Sequence, residues 1–122
     1  MEQEKERTAM TLNEYQNEAM RTASGVTNAS DKNLMLNGAM GLNGEAGEVI
    51  DILKKHMFQG HDLDVEHIAK ECGDCLWYLA ILAKGAGYTL DEIAQMNVDK
   101  LRNRYPNGFE ADKSLHRAEG DI

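Results

Sequence analysis

The sequence predicts an all-α fold, and three observations carry that reading. The only proline, Pro106, falls late in the chain. Four stretches before it space their apolar residues at the helical period. Each of the four also opens on a residue that caps helices.

Thr11 and Glu14 form a capping box that opens the first helix, which runs through about Ala23 with Leu12, Tyr15, Ala19 and either Met20 or Ala23 on its apolar side. Ser24 to Ser30 is a small, polar connection. Ser30 or Asp31 caps a long second helix reaching about His56, where "FQGHDLD" breaks the pattern at Gly60. Asp64 caps a third helix that ends near Lys84 at Gly85 and Gly87. Thr89 and Glu92 form a second capping box. It opens a fourth helix with Leu90, Ile93, Ala94 and Leu101 on the buried side, and Pro106-Asn107-Gly108 stops it. Residues 110–122 read as a flexible C-terminal tail behind a single domain spanning 1–109.

Composition narrows the function classes. The 122 residues suit one core, and 21 acidic against 13 basic side chains give a formal charge of −8. That balance argues against wrapping nucleic acid or an anionic membrane surface, and it requires a local cation wherever an anionic ligand binds. The longest apolar run, "CLWYLAILA", is far short of the ~20 residues of a membrane span, and the charged opening residues are unlike a signal peptide. A cytoplasmic protein is expected. The same run is apolar on every side, which predicts that the third helix is surrounded. Three further helices in so short a chain could hardly cover it, so another subunit is expected against it, with Trp77 and Ile81 as contact candidates.

Four carboxylates stand where apolar residues belong. At roughly 100° per residue, Glu45 falls inside the stripe made by Leu34, Leu42, Val49 and Ile52, with Glu48 about 60° to one side. Glu71 falls likewise among Ile68, Cys75, Tyr78 and Leu82, with Asp74 about 60° away. Two antiparallel helices carrying these pairs would gather four acids inside a bundle, where mutual repulsion and desolvation demand a cation. Oxygen ligands without His or Cys select Mg²⁺, with Mn²⁺ as a substitute. One Glu-x-x-Glu alone would read as a solvated pair reaching Lys54, Lys55 or Lys70. Two such pairs on two apolar faces favour a metal. A carboxylate-bridged di-iron site is disfavoured because Glu-x-x-His pairs are missing.

The same second helix carries Gly38, Gly41, Gly44 and Gly47, each costing about 1 kcal/mol in a helix. Gly38 and Gly41 share the face of Glu45, and they are expected to clear space for a neighbouring helix or for substrate. Gly44 and Gly47 turn away and are expected to admit close packing elsewhere.

"GLNGEAGEVIDILKK", "ECGDCLWYL" and "NVDKLRNRYPNGF", with "LNEYQNEAMRTA" before them, resemble the MazG-like nucleoside triphosphate pyrophosphohydrolases of the all-α NTP pyrophosphatase superfamily. The resemblance implies a four-helix MazG-like bundle completed by homo-oligomerisation, as a dimer or a tetramer. It also implies Mg²⁺-dependent hydrolysis of normal or damaged nucleoside triphosphates to monophosphate and pyrophosphate, in a house-cleaning role. The family's Glu-x-x-Glu and Glu-x-x-Asp map onto Glu45, Glu48, Glu71 and Asp74 as metal ligands, with Glu45 or Glu48 as the candidate base on the attacking water. The family's "N-x-x-K-x-x-x-R" maps onto Asn97, Lys100 and Arg104 as phosphate contacts, and Lys54 is a further candidate. Tyr15, Gln16, Asn37 and Trp77 are candidates for the base pocket. The competing function is a noncatalytic helical module that binds nucleotide or metal. "CGDC" invites a zinc or redox reading, but no second cysteine pair accompanies it, and Cys75 fits a small core residue.

Overall fold

The computed structural model describes residues 8–23 and 30–122, and every described element is helical. Most of the connection between the first two helices lies outside the described residues, as do residues 1–7. The elements are α1 (Leu12–Ala23), α2 (Asp31–Gln59), α3 (Val65–Ala86), α4 (Leu90–Arg104) and a short α5 (Ala111–Leu115).

The caps account for the starts. Ser30, rather than Asp31, caps α2, its hydroxyl accepting from the Asn33 N–H at 3.2 Å. Asp64 Oδ1 accepts from the His67 N–H at 3.0 Å to open α3, and Thr89 and Glu92 complete the reciprocal box on α4. Gly60 and Gly87 end α2 and α3 at φ 74° and 84°, left-handed backbone that favours glycine.

An antiparallel α2–α3 hairpin is the centre of the fold. Gly38 faces Leu82 and Gly41 faces Tyr78, while Gly85 of α3 meets Asp31, Leu34 and Met35. A Cβ on Gly38 would lie 2.7 Å from the Leu82 Cβ and 2.9 Å from its backbone, so this glycine lets the two helices touch. A Cβ on Gly41 would fall inside the Tyr78 ring. The close approach expected at these two glycines is therefore to α3. Gly44 and Gly47 have open space within 4 Å, and the packing expected against them does not occur among the described residues.

Helix α1 crosses α3 near its C-terminal half. Ala19 and Ala23 are buried there beside Ala80, Ala83, Leu90, Leu34 and Ile81, with Tyr15, Met20, Trp77 and Tyr78 closing the two clusters. This corrects the expectation that Ile81 faces another subunit. Ile81 is wholly buried within the chain. Trp77 is half-buried against both clusters and donates its indole N–H to Thr22 Oγ1 at 2.9 Å. The reason is that α1 occupies the side of α3 that the helical wheel left open.

Gln16 fastens α1 to the α3–α4 corner. Its Nε2 donates to the Ala80 and Tyr88 carbonyls at 3.2 and 3.1 Å, and its Oε1 accepts from the Leu90 N–H at 3.1 Å. Asn13 Oδ1 accepts from the Asp91 N–H at 3.0 Å. The first N–H groups of α4, which a helix cannot satisfy itself, are thus paired by side chains of α1 and by Thr89. Beyond this end α4 is poorly covered: Ile93 and Leu101, expected to be buried, are 39% and 40% exposed. The outer face of α2 also exposes Met40, Ile50, Met57 and Phe58. No helix among the described residues is long and apolar enough to cross a membrane.

The segment read from sequence as a flexible tail carries α5 and returns to α4. Arg104 donates Nε to Asp121 Oδ2 at 2.9 Å and Nη2 to Oδ1 at 2.8 Å, a two-pronged ion pair.

Candidate metal centre

The hairpin register that sets Gly41 against Tyr78 sets Glu45, one turn further along α2, against the next turn back on α3. Glu45, Glu71 and Asp74 each bring one carboxylate oxygen within 4.8 Å of the others. Glu45 and Glu71 are half-buried and Asp74 is exposed, so the trio meets solvent on the Asp74 side.

The trio's electrostatics show what it lacks. A hydrogen bond shared with Glu71 holds the Glu45 carboxyl above its ordinary value, helped by desolvation and by the negative charges of Glu71, Asp74 and Glu48. The surrounding negative charge disfavours the ionised form of Glu45, and a cation among these acids would reverse that. Glu71 Oε1 lies 3.2 Å from His67 Nε2, while Glu71 Oε2 is buried and, with Glu45 ionised, has no hydrogen-bond donor against it among the described residues. A buried carboxylate oxygen with no partner is costly unless a ligand completes it. An all-oxygen trio with one orphaned oxygen fits a hard divalent cation.

Residues 36–109 match the MazG nucleotide pyrophosphohydrolase domain, a span that holds all four predicted carboxylates. The chain belongs to that family. It is also similar to the Gene 37 protein of Mycobacterium phage L5, 34% identical over 73 residues that cover 57% of this chain and 64% of that protein. The chain thus spans less than two thirds of that relative's length. No solved structure matches the chain.

Within this family frame, the remaining sequence-predicted residues separate into two groups. Glu48 is exposed, outside the trio but close enough for its charge to act on Glu45. Tyr15 is drawn to the site's rim: its hydroxyl lies 3.5 Å from the Gly73 carbonyl, and its acidity is reduced by burial and by the Asp74 charge. Asn37 is half-buried on α2, two turns before Glu45. Gln16 and Trp77, the other two candidates for the base pocket, have their polar atoms held by the fold as described above.

The cations do not gather at the trio. Lys54 pairs with Asp51 at 3.1 Å, and Lys55 holds the same carboxylate at 2.7 Å. These lysines hold Asp51 below its usual value. Asn97 and Lys100 are exposed on α4, and Arg104 is bound to Asp121. The charges acting on Glu45 are acids, whereas Lys100 and Arg104 act on Asp121.

The "CGDC" thiols are free, and Cys75 is half-buried with its acidity reduced by burial and by the neighbouring Cys72 and carboxylates. Sequence reasoning passed over His67 as a partner for Glu71, although their i, i+4 spacing on a helix signals such a contact. Asp121 gave no local signal, because its partner lies in a different helix.

Proposed function

We propose that this chain is a Mg²⁺-dependent nucleoside triphosphate pyrophosphohydrolase, and the orphaned Glu71 Oε2 inside the carboxylate trio is the observation that carries the reading. Glu45, Glu71 and Asp74 would hold the ion, with Mn²⁺ as a substitute. Once bound, the ion would supply the positive charge a triphosphate needs in an acidic protein and would make its attacking water more acidic.

In this reading Glu48 takes the proton from the water that attacks the α-phosphorus, because Glu48 is exposed at the trio's edge while Glu45 already shares its carboxyl with Glu71. The oxygen–phosphorus bond between the α and β groups breaks, and pyrophosphate departs from the nucleoside monophosphate. Asn97, Lys100 and Arg104 receive the phosphates. Tyr15 and Asn37 remain as contacts for the base.

A homodimer or homotetramer completes the bundle, supported by the uncovered apolar side chains of α2 and α4. The role is cytoplasmic house-cleaning of standard or damaged nucleotides, with no nucleic-acid or membrane partner. Incubation with a panel of ribo- and deoxyribonucleoside triphosphates and Mg²⁺, followed by separation of products, tests the reading. Monophosphate and pyrophosphate from the wild type, lost in Glu48→Gln, are expected. Binding without turnover across the whole panel would make the chain a nucleotide-binding module instead.

A further inference from the structure

The phosphate candidates Lys100 and Arg104 line a charged cleft at the C-terminal end of α4, and none of its lining residues comes from α2 or α3. A cleft of about 640 Å³ between the end of α4 and the segment after α5 is lined by Lys100, Arg104, Lys113 and Arg117, against the carboxylates Glu119 and Asp121. In a chain of net charge −8, four cations facing two acids form a local positive excess.

Asp121 occupies the best place in this cleft. Both its oxygens accept from Arg104 in the parallel geometry that a guanidinium also offers to phosphate. The two side chains are 9% and 16% exposed, so the pair is sheltered from water. Arg104, Arg117 and Lys100 together hold the Asp121 carboxyl below its usual value, with the Arg104 hydrogen bond as the largest cause. Arg104 therefore holds the anion position, and Lys100 and Arg117 line the same cleft. The cleft is much larger than that single carboxylate needs.

We propose that this cleft binds a pyrophosphate group and that Asp121 is the internal anion that fills it until such a group displaces it. The proposal deepens the phosphate role given above to Lys100 and Arg104, and it rests on that role. It adds Lys113 and Arg117 as further phosphate contacts and Asp121 as a competitor. A bound pyrophosphate takes the Arg104 fork through two of its oxygens and releases the segment that carries Asp121. Losing Asp121 without a replacement leaves Arg104 sheltered with no carboxylate against it, which raises its demand for an anion.

The test is calorimetric titration of the full chain in EDTA, so that neither metal nor turnover enters. Pyrophosphate and a nucleoside triphosphate are the two probes. Asp121→Asn is expected to bind pyrophosphate about tenfold more tightly than the wild type, and Lys113→Ala/Arg117→Ala more weakly. Tighter binding of pyrophosphate alone assigns the cleft to the free product, and tighter binding of both probes assigns it to the outer phosphates of a nucleotide. A second measurement needs no variant: in the wild type, pyrophosphate is expected to shift the Arg104 Nε–H and the Asp121 amide resonances together. Equal affinity of Asp121→Asn and wild type, or saturation without shifts at these two residues, overturns the proposal. Because no hydrolysis is involved, these outcomes are independent of whether the carboxylate trio catalyses.

Discussion

Replacing Gln16 with Leu keeps the side-chain volume near its original value and removes three hydrogen bonds at the α1–α3–α4 corner. The consequences at the three partners differ. The Leu90 N–H is the first of α4 and has no partner inside its own helix, so burying it unpaired costs about 1–3 kcal/mol. Tyr88 is exposed, and water can replace the lost bond to its carbonyl at a cost of about 0.5 kcal/mol. Ala80 lies inside α3, where its carbonyl also serves the helix ladder, and its loss is of the same small order. The expected sum is about 2–4 kcal/mol. For a chain of this size that lowers Tm by roughly 3–6 °C per kcal/mol. Urea and thermal unfolding followed at 222 nm measure it, and substrate KM measured below the transition separates the two possible roles of Gln16. A stability loss under about 1 kcal/mol together with a KM raised severalfold would refute the structural role and restore Gln16 as a base contact.

Two further predictions follow from the packing and the charges. Gly38→Ala is expected to destabilise by about 1–3 kcal/mol, because its Cβ meets Leu82 backbone that cannot move aside, whereas Gly44→Ala, opening onto empty space, gains about 1 kcal/mol of helix propensity. Paired denaturant melts of the two variants check the opposite signs. In metal-free protein, Glu45 holds its proton more tightly when folded than when unfolded. Its contribution is therefore fully present below the ordinary value of 4.5 and is lost as pH rises through the folded value. Tm in EDTA is thus expected to fall from pH 4.5 upward in the wild type and to fall less in Glu45→Gln. Asp51 and Asp121, both lowered from 3.8, lose their contributions only on the acid side and do not mask this slope. Parallel slopes in the two proteins would contradict the shared proton between Glu45 and Glu71.

Much of this architecture is written locally, and what is not local was hidden. Ser30, Asp64 and Thr89 act on N–H groups three residues away, so the helix starts are legible from short motifs. The helical wheel placed Glu45 and Glu71 on the faces that meet, because an antiparallel hairpin preserves whatever each helix presents. It could not reveal that α1 covers Ile81, since the wheel describes one helix and not its neighbours. Gln16 read as polar and available, yet its amide ties three elements that come together only in the folded chain. Ile93 and Leu101 read as buried because apolar spacing marks the face a helix would bury, and nothing among the described residues covers that face. Arg104 read only as a phosphate contact, because the carboxylate that holds it, Asp121, sits beyond another helix.

Equilibrium titration with Mn²⁺, followed by electron paramagnetic resonance on wild type and Glu71→Gln, tests the central claim most directly. The orphaned Glu71 oxygen and its neighbours Glu45 and Asp74 predict a saturable Mn²⁺ site in the wild type that Glu71→Gln loses or weakens by at least about tenfold, and that Mg²⁺ displaces. Superimposable isotherms for the two proteins would mean that the trio does not hold the ion, and the metal-centred account would fall with it.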